Sequence, residues 1–152
     1  MIHFKSKLTR LSIFETFKTK NEELTGEAIR QRNIISHLAI EDNPSLMTRT
    51  AIAQNIARKN NLLWKNIYSG IFRDLDEVLI PLEIVVESGR LPIKRGPKAL
   101  QEKGIPSYKL TTKGLLVALS ITELKNKKQV LGDFLSKAEI TDQLFSDSIR
   151  LL

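Results

Sequence analysis

A chain of 152 residues, 41% hydrophobic and 27% charged, is the size of one domain and can bury a core of on the order of two thirds of its unfolded surface. It holds no cysteine, which excludes a disulfide framework, a thiolate metal site and a cysteine nucleophile. Twenty-four Lys and Arg against seventeen Asp and Glu leave a net charge of +7, an excess that favours a polyanionic partner such as nucleic acid or an anionic surface. The longest apolar run, Leu115 to Leu119, is far short of a bilayer span. With no signal-peptide pattern either, the expected location is the cytoplasm, associated with the nucleoid.

In residues 1–24, an N-terminal extension, Phe4, Leu8, Leu11, Phe14 and Phe17 fit a helical stripe. Thr25 is a candidate N-cap for a helix running to about Ala39, with Ala28, Ile29, Ile34, Ile35 and Leu38 roughly on one face. Asp42-Asn43-Pro44-Ser45 ends it in a turn. A second helix is predicted from about Arg49 to Lys59, capped by Thr48, with Ile52, Ala53, Ile56 and Ala57 inward. Asn60-Asn61 reads as a turn, since Asn tolerates left-handed backbone angles.

A third helix is expected over 62–77, with Leu63, Ile67, Ile71 and Leu75 as its stripe. Two short helices joined by a tight polar turn make a helix-turn-helix. Ile84 to Glu87 reads as a strand closed by Ser88-Gly89. Residues 90–106 carry three prolines and two glycines and read mainly as a loop, with one helical turn at Ala99 to Lys103. Ser107 to Leu110 reads as the return strand, and Thr111 or Thr112 as the cap of a helix whose apolar positions run from Leu115 to Leu124. Further helices are expected at Val130 to Ala138 and Ile140 to Ile149.

Charge is concentrated on one stretch of this plan. Arg90 to Lys113 holds seven basic residues and one acid, whereas from Glu123 onward five of each cancel. A run of this kind also serves as a plain solubilising face.

Tyr108-Lys109-Leu110-Thr111-Thr112-Lys113-Gly114 resembles the Tyr-x-Leu-Thr-x-x-Gly signature that closes the wing in winged-helix regulators of the MarR and PadR types. The wider likeness, over about residues 26 to 121, is one of element order. The resemblance implies a mainly α fold with a small β-hairpin: a winged helix-turn-helix domain at 25–121, with C-terminal helices at 122–152. It also implies double-stranded DNA as the partner and transcriptional regulation as the function. The third helix would enter the major groove, offering Lys65, Asn66, Ser69 and Arg73 to base edges. The wing, 90–106, would place Arg90, Lys94, Arg95 and Lys98 on the backbone or in the minor groove. Arg49, Arg58 and Lys59, at the ends of the second helix, would meet phosphates.

Each of these positions also fits a solvated helix face or loop, and Trp64, Tyr68 and Phe72 fit core packing better than base stacking. The C-terminal apolar faces would suit a homodimer or would close the monomer's own core. A rival reading makes the domain a winged-helix protein–protein or RNA interaction module of a larger assembly. Catalysis finds little support: His3 and His37 have no second ligand at metal spacing, and His37 reads as a partly buried surface histidine. Asp74, Asp76 and Glu77 cluster, as do Glu83 and Glu87, which hints at a nuclease metal site, but no lysine follows at a suitable spacing and helix-surface acids are far commoner. No phosphate-binding glycine loop or nucleophile elbow is present. The chain is expected to be neither an enzyme, a cofactor binder nor a membrane protein.

Overall fold

The computed structural model describes residues 9–59 and 64–137, apart from the side chains of residues 64–66, 100 and 137. The chain there is mainly helical, with one two-stranded antiparallel hairpin, a layout compatible with a winged helix. Helix α1 spans Gly26–Ile40, and Thr25 caps it by accepting a hydrogen bond from the Ala28 amide. A 3-10 turn, Pro44–Leu46, leads to α2, Arg49–Lys59, where the Thr48 hydroxyl accepts from the Ala51 amide. Helix α3 spans Trp64–Arg73 and widens into a π-helical segment, Asp74–Leu79. The π-helical segment ends at Leu79, but Ile80 keeps helical angles and the Leu82 amide still donates to the Val78 carbonyl at 3.0 Å, so the chain leaves the helix only past Pro81, at the left-handed Glu83.

Strands β1, Val85–Leu91, and β2, Ile105–Leu110, form the hairpin. Its tip carries the short helix α4, Lys98–Lys103, where one helical turn was expected. Helix α5, Thr112–Ala118, follows β2 directly, and α6 spans Lys127–Lys137. The core gathers Ile34 and Ile35 of α1, Ile52 of α2, Ile71 and Leu75 of the third helix, Tyr108 and Leu110 of β2, Leu115 of α5 and Val130 of α6. Among the described residues no helix is long and apolar enough to cross a membrane.

Several expectations are corrected. Residues 9–24 form turns and a Thr16–Leu24 bridge instead of a helix. Ile13 is buried there while Phe14 and Phe17 stay exposed, so the periodic aromatics do not define a packed face; Phe4 and Leu8 lie outside the described residues. Ser88-Gly89 does not end β1. The strand absorbs them at a bulge between Glu87 and Gly89 and runs on to Leu91, with the Ser88 and Ser107 hydroxyls 3.0 Å apart across it. Arg90 therefore belongs to a strand, and the loop expected over 90–106 shrinks to the tip. Helix α5 stops at Ala118. Ile121 and Leu124 reach the core from the following turns. His37 is a core residue, its Nε2 2.7 Å from the Leu46 carbonyl. The turn at Asn60-Asn61, the stripe residue Leu63 and the helix expected at Ile140 to Ile149 lie outside the described residues.

The β2–α5 junction fixes the hairpin to the helices. The Thr111 amide donates to the Ile84 carbonyl at 3.0 Å, and the Thr111 hydroxyl caps α5 at the Gly114 amide, 3.0 Å away. Gly114 is buried, and a Cβ built on it would fall on the Ile84 carbonyl oxygen. Gly114→Ala must therefore separate α5 from the start of β1, and should lower stability by about 2–4 kcal/mol in urea unfolding. Gly26→Ala, whose added methyl meets nothing within 4 Å, should stay within about 1 kcal/mol of wild type.

Candidate nucleic-acid interface

The third helix owes its placement to a polar contact. Asp74, the first residue of the π-helical segment that continues α3, is wholly buried at 0% exposure. It pairs with Arg30 of α1: the Arg30 Nε donates to one carboxylate oxygen, and Nη2 donates to the other at 3.1 Å. The Gln31 amide lies 3.5 Å from the same carboxylate, and its oxygen accepts from the Ser12 amide at 3.1 Å. Gly70 lets this happen, because a Cβ there would lie 2.9 Å from the Arg30 guanidinium. A guanidinium fork on a carboxylate is directional as well as strong. It therefore sets both the distance and the rotation of α3 on α1.

The expectation of helix-surface acids thus fails for Asp74 and holds for Asp76 and Glu77, which are exposed. The signal for Asp74 was its spacing: it sits three residues after Ile71, on the apolar side of the helix. Among the described residues no three His, Asp or Glu side chains gather as a metal site.

The other expected contacts divide into engaged and open ones. Ser69 and Arg73 of α3 are exposed. Lys65 and Asn66 belong to α3, but their side chains lie outside the described residues, as does that of Trp64. Tyr68 and Phe72 are half-buried, with ring centroids 4.1 Å apart. Arg49 is engaged: it pairs with Asp76, and its guanidinium carbon lies 5.1 Å from the Phe72 ring centre and 5.3 Å from that of Tyr108. Burial raises the Tyr108 phenol above its ordinary value, with the Arg49 charge opposing. Arg90 pairs with Glu87 at 3.0 Å. At the hairpin tip Lys94, Arg95 and Lys98 are exposed and form no ion pair among the described residues.

The arginines sort the same way. Arg10, Arg30, Arg32, Arg49 and Arg90 each pair with a carboxylate. Among the described residues Arg58, Arg73 and Arg95 do not, and all three are exposed. They stand on α2, on α3 and on the hairpin tip, so the open guanidinium charge falls on the helix pair and the hairpin.

Comparison of the chain with protein-family models, curated proteins and solved structures found no match.

Because Asp74 is enclosed, Asp74→Ala would leave Arg30 without its partner in a mostly buried place, and should cost about 3–5 kcal/mol in urea unfolding. Asp76→Ala breaks a pair that is partly open to solvent, and should cost about 1 kcal/mol or less.

Proposed function

We propose that the chain is a winged-helix transcriptional regulator that binds double-stranded DNA. In this reading α3 enters the major groove and the hairpin tip lies on the backbone or in the minor groove. The observation that carries it is that exposed basic side chains with no ion pair among the described residues stand on α2 (Arg58), on α3 (Arg73) and at the tip (Lys94, Arg95 and Lys98), although Lys18, Lys125 and Lys128 are open in the same way elsewhere. A protein's own carboxylates neutralise most of its other arginines, so these remain free to displace counterions from phosphates.

Element order supports the same reading: helix, turn, helix pair, hairpin and helix follow in sequence. The Tyr108 amide donates to the Met47 carbonyl at 3.0 Å. This rung ties the outer edge of β2 to the segment before α2, so the hairpin and the helix pair form one unit. Ser69 and Arg73 would face base edges, together with Lys65 and Asn66, while the tip supplies phosphate or minor-groove contacts. If the chain is a two-fold dimer, its site consists of half-sites about one helical turn apart.

The test is binding to mixed duplex DNA over a range of salt concentrations. Affinity should fall steeply with salt, and Lys94→Ala/Arg95→Ala should lower the slope of log K against log salt by about two. Lack of duplex binding at low salt would sink the proposal. Retained binding to single-stranded RNA or to an acidic protein would then favour an assembly module.

A further inference from the structure

Arg49 sits where α2 begins, a place from which a basic side chain in a helix-turn-helix can reach a phosphate. Its surroundings give it other work. The guanidinium lies over the Phe72 ring of α3 and over the Tyr108 ring of β2, its carbon 5.1 and 5.3 Å from their centres. Its Nη2 is paired with Asp76 of the π-helical segment. Its Nε is buried without a hydrogen-bond partner, so the group is placed by ring faces and one carboxylate rather than by a full set of acceptors.

The flanking residues close a circuit around it. Two residues earlier, the Met47 carbonyl accepts from the Tyr108 amide at 3.0 Å. One residue later, the Thr50 hydroxyl lies 3.3 Å from the Tyr68 hydroxyl, and the Tyr68 ring stacks on Phe72. The start of α2, the last turn of α3 and the return strand of the hairpin thus meet at a single side chain.

We infer that Arg49 is a positioning residue that holds α3 and the hairpin at a fixed relative geometry, and that it is not a phosphate ligand. The inference rests on the reading of α3 and the hairpin as the two DNA-contacting elements. Arg49 would have to leave both rings and Asp76 to reach a phosphate, and its charge is already matched. Planarity matters here more than charge. A lysine keeps the charge but has no flat face to lay against the two rings, whereas at a phosphate it serves nearly as well as a point charge.

The experiment compares wild type, Arg49→Lys and Arg49→Gln for affinity to mixed duplex DNA over a salt series, at a temperature where each is folded. Both variants should bind about three- to tenfold more weakly, with the salt slope of the wild type. Arg49→Lys binding as well as wild type would overturn the inference, and this variant decides alone should Arg49→Gln not fold. An Arg49→Gln slope lowered by about one, or unchanged affinity in both variants, would overturn it as well.

Should the wild type bind no duplex at all, the DNA reading fails separately. Thermal unfolding of Arg49→Lys, Phe72→Leu and their double variant then decides the clamp itself. Losses in Tm that fall short of additive keep it, and additive losses remove it.

Discussion

The placement of α3 depends on one buried ion pair, Arg30 with Asp74. A wholly buried carboxylate is tolerated only when its partner is well aligned and its remaining lone pairs are met, because desolvation costs several kcal/mol per ion. Here both carboxylate oxygens accept from the guanidinium, and the Gln31 amide stands close by. That requirement passes to the backbone. Arg30 lies across Gly70, so α1 and α3 approach at the one position on α3 that has no side chain. Apolar packing of Ile71, Leu75 and Leu79 supplies most of the burial energy, yet such contacts tolerate sliding and rotation. The ion pair adds a directional contact that a helix rotated or shifted in place would lose.

The hairpin is seated by comparable means, though without a buried ion pair. The Thr111 amide donates to the Ile84 carbonyl at 3.0 Å and its hydroxyl to the neighbouring Glu83 carbonyl, while the hydroxyl oxygen also caps α5 by accepting from the Gly114 amide. Lys113 donates to the Leu82 carbonyl at 2.8 Å. The whole junction occupies the span of the Tyr-x-Leu-Thr-x-x-Gly stretch. Tyr108 and Leu110 face the core, Thr111 turns the chain, and Gly114 makes room for the carbonyl it passes. Each residue type in that stretch therefore has a local physical reason to be there, independent of any likeness to other proteins.

Local chemistry is also what made much of the fold legible beforehand. Thr25, Thr48 and Thr111 each cap the helix that follows, and capping needs only residues within one turn. The stripe Ile67, Ile71, Leu75 located the third helix for the same reason. What escaped were features set by partners distant in sequence. Ser88-Gly89 reads as the end of a strand until Ser107 supplies a cross-strand hydroxyl and the register shifts by a bulge. Asp74 reads as a surface acid until Arg30, 44 residues away, comes to meet it. His37 finds its acceptor in the 3-10 turn, and the aromatics near the N-terminus lose their helical pattern to the Thr16–Leu24 bridge. Of the candidate contacts, the tip lysines and arginine were readable as exposed charge because a loop with prolines and glycines has little else to do. The engagement of Arg49 was not readable, since both rings and its carboxylate lie on other elements.

Two uses of the same side chain follow from these contacts. Where a guanidinium is matched by a carboxylate, as at Arg30 and Arg49, it contributes direction and very little net field. Where it stands open, as at Arg58, Arg73 and Arg95, it contributes field and places no constraint on the fold. Screening limits that field to about 8 Å at physiological salt, so it acts on a polyanion only at near contact. It is useful only if the elements bearing it are already held in a geometry the polyanion can match. The paired arginines provide that condition: Arg30 seats α3 on α1, and Arg49 stands between α3 and β2. In the proposed DNA complex the net charge of +7 is therefore a poor measure of binding strength. What counts is how few of the open charges lie on elements free to move relative to one another.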